Sequence, residues 1–127
     1  MSTIKDAINQ ARANAQDLHK QVMAATGKDQ AAIKNDFTNV STDAQALANS
    51  IKETAAAQAQ QSDTRAYLSD AVAQIQDAAN HAKAAAQAAA PEFSKAKATV
   101  IADMTNGLNS LSHAVATQRA AQPGARS

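Results

Sequence analysis

The sequence predicts an all-α fold, an antiparallel up-down-up-down four-helix bundle of alanine-rich amphipathic helices. Three observations predict it. Alanine supplies 35 of the 127 residues. It has the best intrinsic helix propensity, and the Gln, Lys, Arg, Leu and Met that accompany it follow closely. Larger apolar residues recur three and four apart in four successive stretches, the spacing that lines one face of a helix. Breaks separate the stretches at Gly27, at the glutamine-rich run 58–61 and at Pro91. The length suits one domain. The bundle is expected over 1–119, with helices near 3–26, 29–58, 62–90 and 92–118, and a flexible tail at 120–127.

The first stripe is Ile4, Ile8, Ala11, Ala15, Leu18, Val22 and Ala25, an unbroken heptad pattern. Gly27 then suits a left-handed helix cap, and Asp29 can cap a new helix start. The second stripe, Ile33, Phe37, Val40, Ala44, Leu47 and Ile51, is offset by one residue from the first. The offset means a turn near Gly27–Lys28 or a stutter in one long helix, and the coincidence of Gly and Asp favours the turn.

Ser62 or Asp63 is the expected cap of the third helix. Its stripe runs through Leu68, Val72, Ile75, Ala79, Ala82, Ala86 and Ala89, so its second half presents alanine alone. Pro91 cannot continue a helix but suits the first turn of the next. The fourth stripe, Phe93, Ala96, Val100, Ile101, Met104, Leu108, Leu111 and Val115, is wider than a coiled-coil seam, as expected of a helix inside a globular bundle. Gly107 lies mid-helix at a cost of about 1 kcal/mol against alanine, a placement that fits close packing or a bend. The alanine-dominated stripes predict a thinly packed core of modest stability.

Composition excludes several classes. There is no Cys, so disulfides, thiolate metal sites and cysteine nucleophiles are absent. Two Phe, one Tyr, no Trp, three Gly and two Pro do not build a sandwich of strands. No apolar run is long enough to span a membrane. The start, Met-Ser-Thr-Ile-Lys-Asp, lacks the charged and apolar regions of a secretory signal, so a cytoplasmic location is expected. Twelve Lys and Arg against eleven Asp and Glu leave a net charge of +1, with neither half polarised. Nucleic-acid binding is not expected without a clustered basic footprint.

The search for chemistry finds little. Asp77 and His81 are four apart on one helix face and read as a solvated pair, because no further ligand motif accompanies them. The Asp residues are spread out and mostly off the stripes. No G-x-S-x-G, phosphate loop or dinucleotide motif occurs. Tyr67 reads as a boundary packing residue. Threonines keep no 11-residue period of the kind an ice-binding helix needs. The expectation is a non-enzymatic protein without cofactor or metal. It acts through helix faces, and Ile33, Phe37, Val40, Leu68, Val72 and Ile75 are the candidate interface residues. Their alternative role is plain intramolecular core.

In composition, stripe pattern and helix number across residues 3–118 the chain resembles apolipophorins, polyester-granule phasins and other exchangeable amphipathic bundles. The resemblance implies a bundle whose stripes bind a protein partner, a second copy, or a lipid or other hydrophobic surface. It carries no specific motif and no site residue. The chain departs from membrane-surface helices in its scarcity of aromatic anchors. Two other readings fit the composition: a desiccation protein of the late-embryogenesis-abundant type, and a subunit assembling through coiled-coil seams.

Overall fold

A computed structural model describes residues 4–25, 28–59, 62–87 and 92–121, with side chains of the last helix described as far as Thr117. Every regular element among the described residues is helical. Four long helices, α1 (Ile4–Ala24), α2 (Gln30–Glu53), α4 (Ser62–Ala86) and α5 (Phe93–Ala121), pack against one another. The short α3 (Ala55–Gln58) follows α2 after Thr54.

The two offset stripes lie on separate helices. α1 ends at Ala24 and α2 begins at Gln30; Gly27 itself falls outside the described residues. Asp29 caps α2 as expected. Its backbone is extended, and its Oδ1 accepts a hydrogen bond from the Ala32 N–H at 2.7 Å, satisfying one of the donors a helix start leaves free.

The second helix differs from the continuous 29–58 expected. It breaks at Thr54, whose φ of −112° and ψ of −83° leave the helical region. Both the Thr54 hydroxyl and its N–H donate to the Ser50 carbonyl, at 2.6 and 2.9 Å. Such a side chain, bonding back one turn, competes with the helix ladder and bends it. The third helix begins at Ser62, so Ser62 and Asp63 lie inside its first turn rather than before it. It ends at Ala86 instead of 90, with Gln87 N–H donating to Ala84 O in a tightened last turn. Residues 88–90 of the expected helix, and Pro91, lie outside the described residues. The fourth helix runs to Ala121, three residues past the expected end, so Ala120 and Ala121 belong to it. The rest of the expected tail, 122–127, lies outside the described residues.

The stripes are what the helices bury. Ile8, Ala11, Ala15, Leu18 and Val22 of α1 are buried, and so is every second-stripe residue from Ile33 to Ile51. From α4 come Leu68, Val72, Ile75, Ala79, Ala82 and Ala86, joined by Ala71, Ala78 and Ala85; Ala89 is outside the described residues. From α5 come Phe93, Val100, Met104, Leu111 and Val115, while Ala96, Ile101 and Leu108 are half-buried beside them. All of these join one core.

The four long helices form a closed ring of seams: α1 to α2, α2 to α4, α4 to α5, and α5 back to α1. The two seams of α4 are the most extensive and the seam between α1 and α2 is the thinnest. Small residues explain the first fact. A Cβ on Gly107 of α5 would stand 3.0 Å from Ile75 Cγ1, so the glycine lets α5 lie directly on the side chain of α4. α5 is unbroken from Phe93 to Ala121, so Gly107 serves close packing and not a change of course. On the other side of α4, the Ser41 hydroxyl reaches the backbone carbonyl of Ala79 at 2.8 Å, a contact that a bulkier residue at 79 would obstruct.

Gly107→Val is expected to destabilise the protein by about 1–2 kcal/mol in a denaturant titration. Helix propensity alone favours the change slightly, and overpacking a filled seam outweighs it. A variant as stable as the parent would show that Ile75 is free to move aside.

Candidate functional site

The six candidate interface residues all lie in the core, at different heights along it: Phe37 lies by Phe93 at the start of α5, and Ile75 by Gly107 further along the same helix. Ile33, Phe37 and Val40 from α2 and Leu68, Val72 and Ile75 from α4 are all buried in the shared core. Phe37 also meets Phe93 of α5, ring centroids 5.6 Å apart and planes at 48°. Among the described residues the one large hydrophobic side chain left exposed is Met23, at 53%. Buried as they are, these six side chains meet an outside partner only if helices separate.

Polar groups decorate the seams. The Asp77–His81 pair expected from sequence is replaced by another: His81 Nδ1 lies 2.5 Å from Asp103 Oδ2, across the α4–α5 seam. Four residues apart is a permitted distance for a pair, but Asp103 is brought there by the packing of α5 and is the more sheltered carboxylate. His81 also borders a cavity of about 330 Å³ lined by Glu92, Lys95 and Thr99. Its opposite charges give it no preference for an ion of either sign. Among the described residues no three His, Asp or Glu side chains gather to hold a metal ion. Tyr67 is half-buried, at the boundary where it was expected, and stacks on His113 with centroids 5.0 Å apart.

The α4–α5 seam also holds the one buried polar side chain among the described residues, Thr64. Its hydroxyl is 2.9 Å from that of Thr117, and Thr117 donates to the Ala114 carbonyl at 3.0 Å. The Thr117 proton is therefore committed, and Thr64 must be the donor to Thr117 Oγ1.

Packing sorts charges that the sequence leaves mixed. A cavity of about 370 Å³ along the α1–α2 seam is lined by Asp17 of α1 and Asp43 of α2, with no Lys or Arg in its wall. A second, of about 260 Å³, adds Asp36, again without a base. A third, of about 290 Å³, continues along the same seam past Asn14 and Ser50. On the far side of α2, the groove of about 700 Å³ between α2 and α4 carries Lys34 and Lys83 and no carboxylate. The α1–α2 seam is thus lined by like charges.

Lys97 closes the opposite seam of α1. Its ammonium donates to the carbonyls of Met23 at 3.0 Å and Ala25 at 2.7 Å, and stands 5.6 Å from the Phe93 ring centroid. α1 has no basic residue in its own last turn. A cation from α5 thus satisfies carbonyls that a helix end leaves without partners and complements the negative end of its dipole. Nothing in the sequence pairs Lys97 with residue 23, because that contact depends on how α5 is set against α1.

Comparison with protein-family models, curated proteins and solved structures finds no match to this chain. No helix among the described residues is long and apolar enough to cross a membrane.

The direction of the threonine chain gives an ordering. Thr117→Val strands a buried donor on Thr64 and is expected to cost about 1–3 kcal/mol; Thr64→Val removes that donor along with its bond and is expected to cost less. Thermal or urea unfolding of the two variants checks the order, and the reverse order would overturn the assigned direction.

Proposed function

We propose that this protein is a non-enzymatic helical module that covers an apolar surface, of a lipid or other hydrophobic particle, by opening its bundle and laying its stripes on that surface. The closed form is read as an up-down-up-down antiparallel arrangement. The order of contacts between α4 and α5 supports this, since Thr64, Tyr67, Ile75 and His81 meet Thr117, His113, Gly107 and Asp103 in turn. Such a bundle joins neighbours by short connections and can unfold at them like a hinged strip.

The observation that carries the reading is the composition of the core. Of the 30 buried apolar residues among those described, 14 are alanine. Each contributes about one methyl of burial, near 0.8 kcal/mol, where a Leu or Ile contributes about 1.5–3 kcal/mol. Separating the helices therefore costs less than in a bundle of leucines. Alanine also keeps the separated helices helical, because its propensity does not depend on packing. An opened chain would retain four amphipathic rods, with Ile, Leu, Val and Phe on the face an apolar surface receives.

Flotation with triolein droplets tests this. The protein is expected to rise with the droplets while its far-ultraviolet dichroism stays helical and the near-ultraviolet signal of Tyr67 and the two Phe changes. A protein that remains in the aqueous layer at every droplet concentration would overturn the reading.

A further inference from the structure

We propose that α1 is the helix that leaves first, and that Lys97 is the residue that holds it shut. This rests on the opening just described and specifies its order. Two features converge on α1. Its seam with α2 is the thinnest in the ring, whereas α4 holds the two broadest. Three cavities run along that thin seam. Asp17 of α1 shares one of those cavities with Asp43 of α2, and no basic side chain lines it, so the charges there oppose docking.

Against these stands a cross-helix polar attachment. Lys97 of α5 binds two carbonyls at the end of α1 and lies over Phe93, which in turn packs on Phe37. The tether is strong at one end of α1. The remainder of the helix is held by Ile8, Leu18 and Val22 with Ala11 and Ala15, and by the half-buried Ile4 and Ala7. When α1 swings away, the faces it covered on α2 and α5 become the first apolar surface offered, while α4 stays clamped between its two neighbours. Ile33, Phe37 and Val40 would therefore reach a particle before Leu68, Val72 and Ile75.

Hydrogen exchange and cross-linking test the order together. In the free protein, amides of α1 are expected to exchange faster than those of α4. Lys97→Met is expected to raise α1 exchange on the order of ten-fold, the scale of a cation at a helix C-terminus, and to leave α4 unchanged. The chain has no native Cys, so pairs can be placed cleanly. Asn14→Cys with Ser50→Cys, joined by a short bis-maleimide, ties α1 to α2. His81→Cys with Asp103→Cys ties α4 to α5. The first tie is expected to abolish capture by triolein droplets, and the second to preserve it. Equal exchange in α1 and α4, or capture blocked by the α4–α5 tie alone, would overturn the proposal. If the untied protein is not captured at all, the surface-binding reading fails, and exchange by itself still decides whether α1 opens first.

Discussion

Close approach of backbones through small side chains is the constraint on which this bundle depends. α4 turns Ala71, Ala78, Ala79, Ala82, Ala85 and Ala86 inward, and α5 meets it with Gly107. Helices faced this way can settle until backbone and side chain touch, as the Ser41–Ala79 and Gly107–Ile75 contacts record. Dispersion grows with that closeness, while the apolar area removed from water stays small. A large side chain would hold the helices further apart and bury more. The alanine face therefore exchanges hydrophobic burial for intimacy of fit, and makes α4 the helix most fully enclosed by its neighbours.

The same constraint makes the ring unequal. Two neighbours cannot both move close to α4 and keep α1 equally well seated between them. The shortfall shows in the two seams of α1, the thinnest of the ring. Polar chemistry follows the same division. The broad α4–α5 seam contains the His81–Asp103 pair and the Thr64–Thr117 chain, whereas the thin seam has aspartates on both sides. Only at the end where α1 stops does a cation from α5 reach across, and there it meets backbone carbonyls instead of a carboxylate.

What the sequence made legible was the face of each helix. The stripes from Ile8 to Val22 and from Ile33 to Ile51 are the buried residues, because an apolar side chain at helical spacing has only one side on which to hide. The Asp29 cap was legible for a similar reason, since it is a contact over three residues of chain. What was hidden depends on which helix faces which, and at what height. The partner of His81 is Asp103 and not the Asp77 four residues away, because the packing of α4 on α5 decides it. The separation of Lys34 and Lys83 from Asp17, Asp36 and Asp43 is likewise a property of seams, invisible in a chain whose halves are each balanced. The break at Thr54 was hidden by its alanine surroundings, whose propensity argues for one continuous helix while a single hydroxyl bends it.

The candidate site shows the same limit from the other side. Sequence nominated Ile33, Phe37, Val40, Leu68, Val72 and Ile75 on equal terms, as six apolar residues at helical spacing. The fold places all six in one core but does not make them equivalent. Leu68, Val72 and Ile75 belong to the helix with the two broadest seams, and Ile33, Phe37 and Val40 to one that shares its thinnest seam with α1. Exposure on opening is governed by the weakest covering helix and not by the hydrophobicity of what it covers. Burial fractions alone, near zero for both groups, cannot rank them. What separates the two groups is the set of helices that covers each: α1, with the two thinner seams of the ring, for one, and α4, with the two broadest, for the other.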